Sequence, residues 1–128
     1  MAGSFLLDTN AIISLLAHDP SLRTLLAGSK VYVPAVALGE MYFGAYKSGQ
    51  VESNLRRLED FVVDSVVVAC DKQTASHYGQ LKQALRLKGR PTPENDIWIG
   101  ALARQHTLPI VTRDSHFKEF PDVSLATW

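Results

Sequence analysis

A single cysteine, Cys70, stands among 128 residues, so no disulfide can form within the chain. It follows the apolar run "SVVVA", where a buried and inert thiol is expected rather than a reactive one. The four histidines lack Cys or His partners at zinc-finger spacing, which argues against a structural zinc site. There is no G-x-G-x-x-G turn, no Walker A loop and no G-x-S-x-G elbow, so nucleotide-binding and serine-hydrolase versions of an α/β chain lose their main support. No apolar run approaches bilayer-spanning length, and the N-terminal "FLL" meets Asp8 at once instead of extending into a leader. The expectation is a cytoplasmic protein with no membrane partner. Neither sign of charge is in excess, because thirteen basic and thirteen acidic side chains leave a formal net charge of zero. That balance neither suggests nor excludes a nucleic acid. Internal repeats, low-complexity tracts and dividing linkers are also missing. With 46% hydrophobic residues, the chain suits one domain, residues 1–128, around one core.

What the chain does contain is a regular alternation. "SFLLD", "KVYVP", "SVVVA" and "PIVT" are short runs of Val, Ile, Leu and aromatics without polar alternation, as in buried parallel strands. "DVSLATW" adds a candidate last strand. Between these runs lie helical stretches: "NAIISLLAH" and the segment after Pro20, "AVALGEMYFGAYKSG", "VESNLRRLEDFVV", "DKQTASHYGQLKQALRLKG" and "NDIWIGALARQH". Asp71 is the expected N-cap of the fourth of these regions, and Thr92 with Pro93 is the expected start of the last. The pattern is α/β, with a central parallel sheet of four to five strands.

In an open parallel sheet with right-handed crossovers, strand C-termini and helix N-termini share one edge, and ligand sites form along it. Asp8 ends the first strand, Glu40 lies in the first turns of the helix after "VYVP", and Asp114 follows "PIVT". Asp96 belongs with them, because its helix feeds the "PIVT" strand through the short "HTLP" connection and so begins at the same edge. Each acid alone has a plain structural use, as a cap, an Asx-turn or a solvated helix face. Four together at one edge repel one another unless a cation sits among them. Oxygen ligands of this kind suit Mg²⁺ or Mn²⁺, and the chemistry they suggest is metal-assisted phosphodiester hydrolysis leaving 5′-phosphate and 3′-hydroxyl ends.

"LLDTNAIISLL", then Glu40 in "VALGEMYFGA", "NDIWIGALA" with Asp96, and "PIVTRD" with Thr112 and Asp114 together resemble the motifs of PIN-domain ribonucleases, above all the VapC-type toxins of toxin–antitoxin systems. The resemblance runs through essentially the whole chain in the right order. It implies a three-layer α/β/α sandwich, a Mg²⁺- or Mn²⁺-dependent endoribonuclease acting on RNA, a cognate antitoxin that masks the site, and a homodimer. It also implies that Asp8, Glu40, Asp96 and Asp114 form the catalytic, metal-binding cluster, with Asn10 and Thr112 as polar support. Gly100 stands where many relatives carry alanine, and a smaller residue there is expected to leave the site unimpaired.

Lys82 and Arg86 lie one helical turn apart, with Lys88 and Arg90 beyond them, and the loop from Arg90 to Asp96 can span at most roughly 20 Å. These four are the candidate RNA-binding residues, against the plain alternative of a solvated helix face. Met41, Tyr42 and Trp98 are expected to pack inward, and Phe43 and Tyr46 to offer an apolar surface to a second subunit or a partner segment. Two rival functions remain on the sequence alone. A receiver-type signalling domain would use Asp71, yet the chain has "DTN" where receivers need an acidic pair and lacks their lysine after the last strand. A catalytically silent PIN-like module binding RNA or protein would have little use for all four acids.

Overall fold

The computed structural model describes residues 3–128. Five parallel strands form one sheet in the order β3-β2-β1-β4-β5. They are β1 Ser4–Leu7, β2 Lys30–Pro34, β3 Val66–Val68, β4 Ile110–Val111 and β5 Leu125–Ala126. Six helices connect them: α1 Thr9–Leu16, α2 Pro20–Leu26, α3 Ala35–Tyr46, α4 Val51–Val63, α5 Lys72–Leu87 and α6 Glu94–His106. The result is the expected α/β architecture at the upper end of the expected strand count. The chain winds outward from β1 through β2 to β3, then returns to pair β4 against β1 on the other side. Strand order therefore reverses between β1 and β4, and crevices at such switch points, beyond the strand C-termini, are where open α/β sheets bind ligands.

Local chemistry explains most of the boundaries. Asp8 Oδ1 accepts the Ala11 amide at 2.7 Å and starts α1, while Asp19 with Pro20 does the same for α2. Asp71 forms a capping box with Thr74 at the head of α5, as its sequence position predicts. The start of α6 differs from expectation. Pro93 is the N-cap with no side-chain partner, and the Thr92 hydroxyl donates instead to the Arg90 carbonyl at 3.3 Å. Thr107, in the left-handed region at φ 52°, ends α6 and turns the chain toward β4.

Leu6, Leu7, Ile12, Val33, Leu81, Ile99, Leu102, Ile110 and Val111 are fully buried and build the core between sheet and helices. Helix α6 is buried over most of its circumference, from Ile97 through Ala103, and packs closely on α5. Gly100 permits that approach, because a Cβ there would stand 3.4 Å from Leu81 Cδ1 of α5. The valine run of β3 departs from its buried reading: β3 is an edge strand, and Val66 and Val67 are exposed. Cys70, just past that edge, is exposed as well, contrary to the expected buried thiol. Its pKa is pushed up, first by partial desolvation and then by the charge of Asp71, which keeps it protonated and weakly nucleophilic. Among the described residues no helix is long and apolar enough to cross a membrane.

Candidate metal centre at the sheet edge

The four acids arrive from four different elements. Asp8 follows β1 directly, Glu40 is carried by the middle of α3, Asp96 by the first turn of α6, and Asp114 by the turn after β4. Sequence places them on one edge, and their electrostatics agree. The Asp96 carboxyl is pushed up from an ordinary 3.8 to about 6, chiefly by burial, then by the charges of Asp114 and Asp8; His116 opposes the rise and Glu40 adds to it. Asp8 is raised too, first by burial and further by Asp114 and Glu40, while hydrogen bonds from Thr112 and the Ala11 amide hold it down. Each of these groups therefore lies within the field of the others.

Asp8 is the most constrained. It is 3% exposed, one oxygen caps α1, and the other accepts the Thr112 hydroxyl at 2.5 Å. The Thr112 hydroxyl oxygen in turn accepts the Asp114 amide at 2.9 Å, so a single buried threonine ties Asp8 to the turn that carries Asp114. Thr112→Val should leave both partners unmatched. The expected result is a loss of about 1–2 kcal/mol of stability, read by denaturant unfolding.

Asp96, Asp114 and His116 each offer a ligand atom within 4.8 Å of the others. His116 Nδ1 lies 2.9 Å from Asp114 Oδ1, which also accepts the His116 backbone amide. Sequence reasoning passed over His116; its signal was the D-x-H spacing after the strand end, visible only once Asp114 was fixed as a site residue. It passed over Asn95 too, whose Nδ2 donates to Glu40 Oε1 at 2.6 Å across 55 positions of sequence. Asn10 is exposed on the first turn of α1 and takes no part in the hydrogen bonds that link the acids. Carboxylate oxygens with one imidazole nitrogen, packed this tightly and with one carboxyl driven toward neutrality, fit a hard divalent cation.

The basic residues along α5 and just beyond its end are less free than their sequence suggests. Lys82 pairs with Glu94 at 2.7 Å, Lys88 donates to the Glu119 carbonyl at 2.7 Å, and Arg90 stands 4.0 Å from Glu119. Arg86 contacts only Gln83 among its described polar neighbours. Lys82, Arg86, Arg90 and Thr92 nonetheless line one open cleft of about 410 Å³ beside the head of α6. Trp98 is half-buried and stacks on Tyr78 at 4.0 Å, while Met41 and Tyr42 pack against the core as expected. Phe43 and Tyr46 are 65% and 63% exposed. A second cleft, also about 410 Å³, runs between α1, α3 and α4 and is lined by Thr9, Ile13, Glu40, Met41, Arg57 and Leu58 among others, so it opens onto the acidic edge.

The PIN domain family matches residues 5–123. Among curated relatives, a Haemophilus influenzae protein named ribonuclease VapC2 is 32% identical, over 93% of this chain and 91% of its own length. A Shigella flexneri protein named tRNA(fMet)-specific endonuclease VapC is 36% identical over the same shares. Among solved structures, VapBC2 from Rickettsia felis, bound to a DNA fragment from its promoter, superposes with a TM-score of 0.91 at 25% identity and covers 100% of this chain and 99% of that one. DNA-bound VapBC from Salmonella typhimurium gives 0.86 at 30% identity, with 98% of each chain covered.

Proposed function

The chain belongs to the PIN domain family, and from that premise we propose that it is a VapC-type toxin: a Mg²⁺- or Mn²⁺-dependent endoribonuclease, cytoplasmic, restrained by a cognate antitoxin. The observation that carries this is the gathering of Asp8, Glu40, Asp96 and Asp114 at the switch point, where burial first, and then the charges of Asp114, Asp8 and Glu40, push Asp96 up to about 6. A structural cap needs no such company, and acids that repel one another in a part-buried site suit a positive charge among them.

Asp96 and Asp114 are the groups we assign to hold the cation, with Asp8 and Glu40 completing its negative surroundings. When bound, a divalent cation neutralises the cluster, activates water as a nucleophile and withdraws charge from a scissile phosphate. The protein's own part is positional. Thr112 fixes Asp8 and the turn of Asp114 through the bonds described above, and Asn10 adds a polar group at the rim. Burial of Asp8 and part-burial of Asp96 reduce competition from bulk water for those oxygens. RNA would lie across this edge, with Arg86 and the cleft it shares with Lys82 and Arg90 receiving backbone phosphates, and Lys88 beside them.

The antitoxin reading rests on the cleft between α1, α3 and α4. It joins an apolar floor to Glu40 and Thr9, so a segment seated there would reach Glu40 at the rim of the acidic cluster. Exposed Phe43 and Tyr46 lie on another side of α3 from the residues that line this cleft and suit the second copy of a homodimer. The deciding experiment incubates purified, antitoxin-free protein with total RNA in Mg²⁺, in Mn²⁺ and in EDTA, with Asp114→Asn alongside. Products with 5′-phosphate ends are expected with metal and absent with EDTA or the variant. No cleavage by folded protein under either metal would favour a non-cutting binding module.

A further inference from the structure

Asn95 sits in the first turn of α6, one residue before Asp96, yet it performs none of the usual tasks of an asparagine at that place. Helix α6 begins from Pro93 without a side-chain cap, and Asn is a poor helix former, so neither capping nor propensity accounts for it. Its carboxamide points across to α3, where Nδ2 donates to Glu40 Oε1 at 2.6 Å. The amide orientation follows from the acceptor, because a carboxylate attracts N–H and repels a carbonyl oxygen. The Glu40 side chain is otherwise exposed on a helix face and has three torsions to settle.

We propose that Asn95 is a positioning residue: its amide locks the Glu40 carboxylate in its cluster-facing arrangement and ties α3 to the turn of α6 that carries Asp96. This rests on the metal-dependent nuclease reading of the same edge. The choice of an amide follows from charge. A donor is needed to hold Glu40, but lysine or arginine would compete with the cation for the carboxylates, and another acid would add to a repulsion that already drives up Asp96. Asparagine supplies a neutral donor with a short reach. One oxygen of Glu40 is thereby engaged, and the other keeps its lone pairs for the cation or for water. Groups that orient metal ligands in this way commonly matter by about 10- to 100-fold.

The test compares the wild-type chain with Asn95→Ala, Asn95→Leu, Glu40→Ala and the double variant Asn95→Ala/Glu40→Ala. Three quantities are read: Mn²⁺ affinity by electron paramagnetic resonance titration, kcat and KM on an RNA substrate, and the unfolding midpoint. Asn95→Ala and Asn95→Leu should both weaken Mn²⁺ binding about 10-fold and lower kcat about 10- to 100-fold, with KM within about twofold and the fold intact. Because leucine preserves the branched shape of asparagine, equal losses in the two variants identify the lost donor and not lost volume. On the Glu40→Ala background, removing Asn95 should cost nothing further. Wild-type behaviour of Asn95→Leu, or a full additional loss in the double variant, would overturn the proposal. Should the wild-type chain bind Mn²⁺ but cut no RNA, the nuclease reading fails by itself, and the affinity cycle still decides the role of Asn95.

Discussion

Asp96→Asn should unfold about 4–8 °C above the wild-type chain in EDTA at pH 7, and cleave RNA at least about 100-fold more slowly in Mg²⁺. The two effects have one cause. Burial and the charges of Asp114 and Asp8 raise Asp96 from 3.8 to about 6, so the folded state holds this proton more tightly than the unfolded chain does. Between those two values the folded protein carries the extra proton, and stability falls as pH rises through the window. Below about 4 the group is protonated in both states and the penalty vanishes; above about 6 the penalty is complete. Two pKa units correspond to about 3 kcal/mol, which solvent screening of a partly exposed group reduces to about 1–2 kcal/mol. An uncharged amide of the same shape removes it. Asp8 is raised in the same direction and strengthens the trend. Divalent cation should reverse the ranking, because binding to the folded wild-type chain adds about 2.7 kcal/mol at a hundredfold excess over the dissociation constant. Melting curves from pH 4 to 8, with EDTA and with Mn²⁺, check both halves. A wild-type chain more stable than Asp96→Asn in EDTA at pH 7 would show that the cluster is not strained without metal.

The acids were the most legible part of the sequence for a positional reason. Each lies at a strand end or in a helix turn next to a strand, and the α/β alternation fixes which edge that is. The strands themselves were legible because parallel strands read as unbroken apolar runs. What a run cannot encode is its place in the sheet. "SVVVA" has the composition of a central strand, but the crossover through α3 and α4 sets β3 outermost, and Val66, Val67 and Cys70 become exposed in consequence. Partners chosen across the fold were equally hidden. Nothing near Asn95 in sequence announces Glu40, and nothing near Lys82 announces that Glu94 takes up its charge. The Thr92 cap failed for a local reason: its hydroxyl found the Arg90 carbonyl inside the loop before α6 began.

Gly100→Ala should lower the unfolding midpoint by roughly 4–8 °C, although the resemblance places alanine at this position in many relatives and alanine is the better helix former by about 1 kcal/mol. The reason lies across the helix interface. A Cβ built on Gly100 would stand 2.4 Å from two ring carbons of Phe120 and 3.4 Å from Leu81 Cδ1. No real Cβ contact is that short, so the ring must move. Phe120 is 5% exposed and packs against fully buried Phe117, with ring centroids 5.0 Å apart. Overpacking costs about 1–3 kcal/mol, and a ring held this tightly puts Gly100 in the upper part of that range, about 2–3 kcal/mol, which leaves a net loss of about 1–2 kcal/mol after the gain in helix propensity. The consequence reaches the acidic edge, because Phe117 and Phe120 belong to the segment that begins with Asp114 and His116. A displaced ring pulls on that turn, so cleavage should fall along with stability. Trimming the ring separates this account from a general intolerance of change at Gly100: in Gly100→Ala/Phe120→Leu the shorter side chain makes room for the methyl group, and the midpoint should recover by at least half. An unchanged midpoint in Gly100→Ala alone would mean that Phe120 does not fill the space that glycine leaves. Recovery in the double variant would instead make glycine at 100 and phenylalanine at 120 one packing solution, in which the smaller residue is harmless to the site only because the larger one occupies the space it vacates.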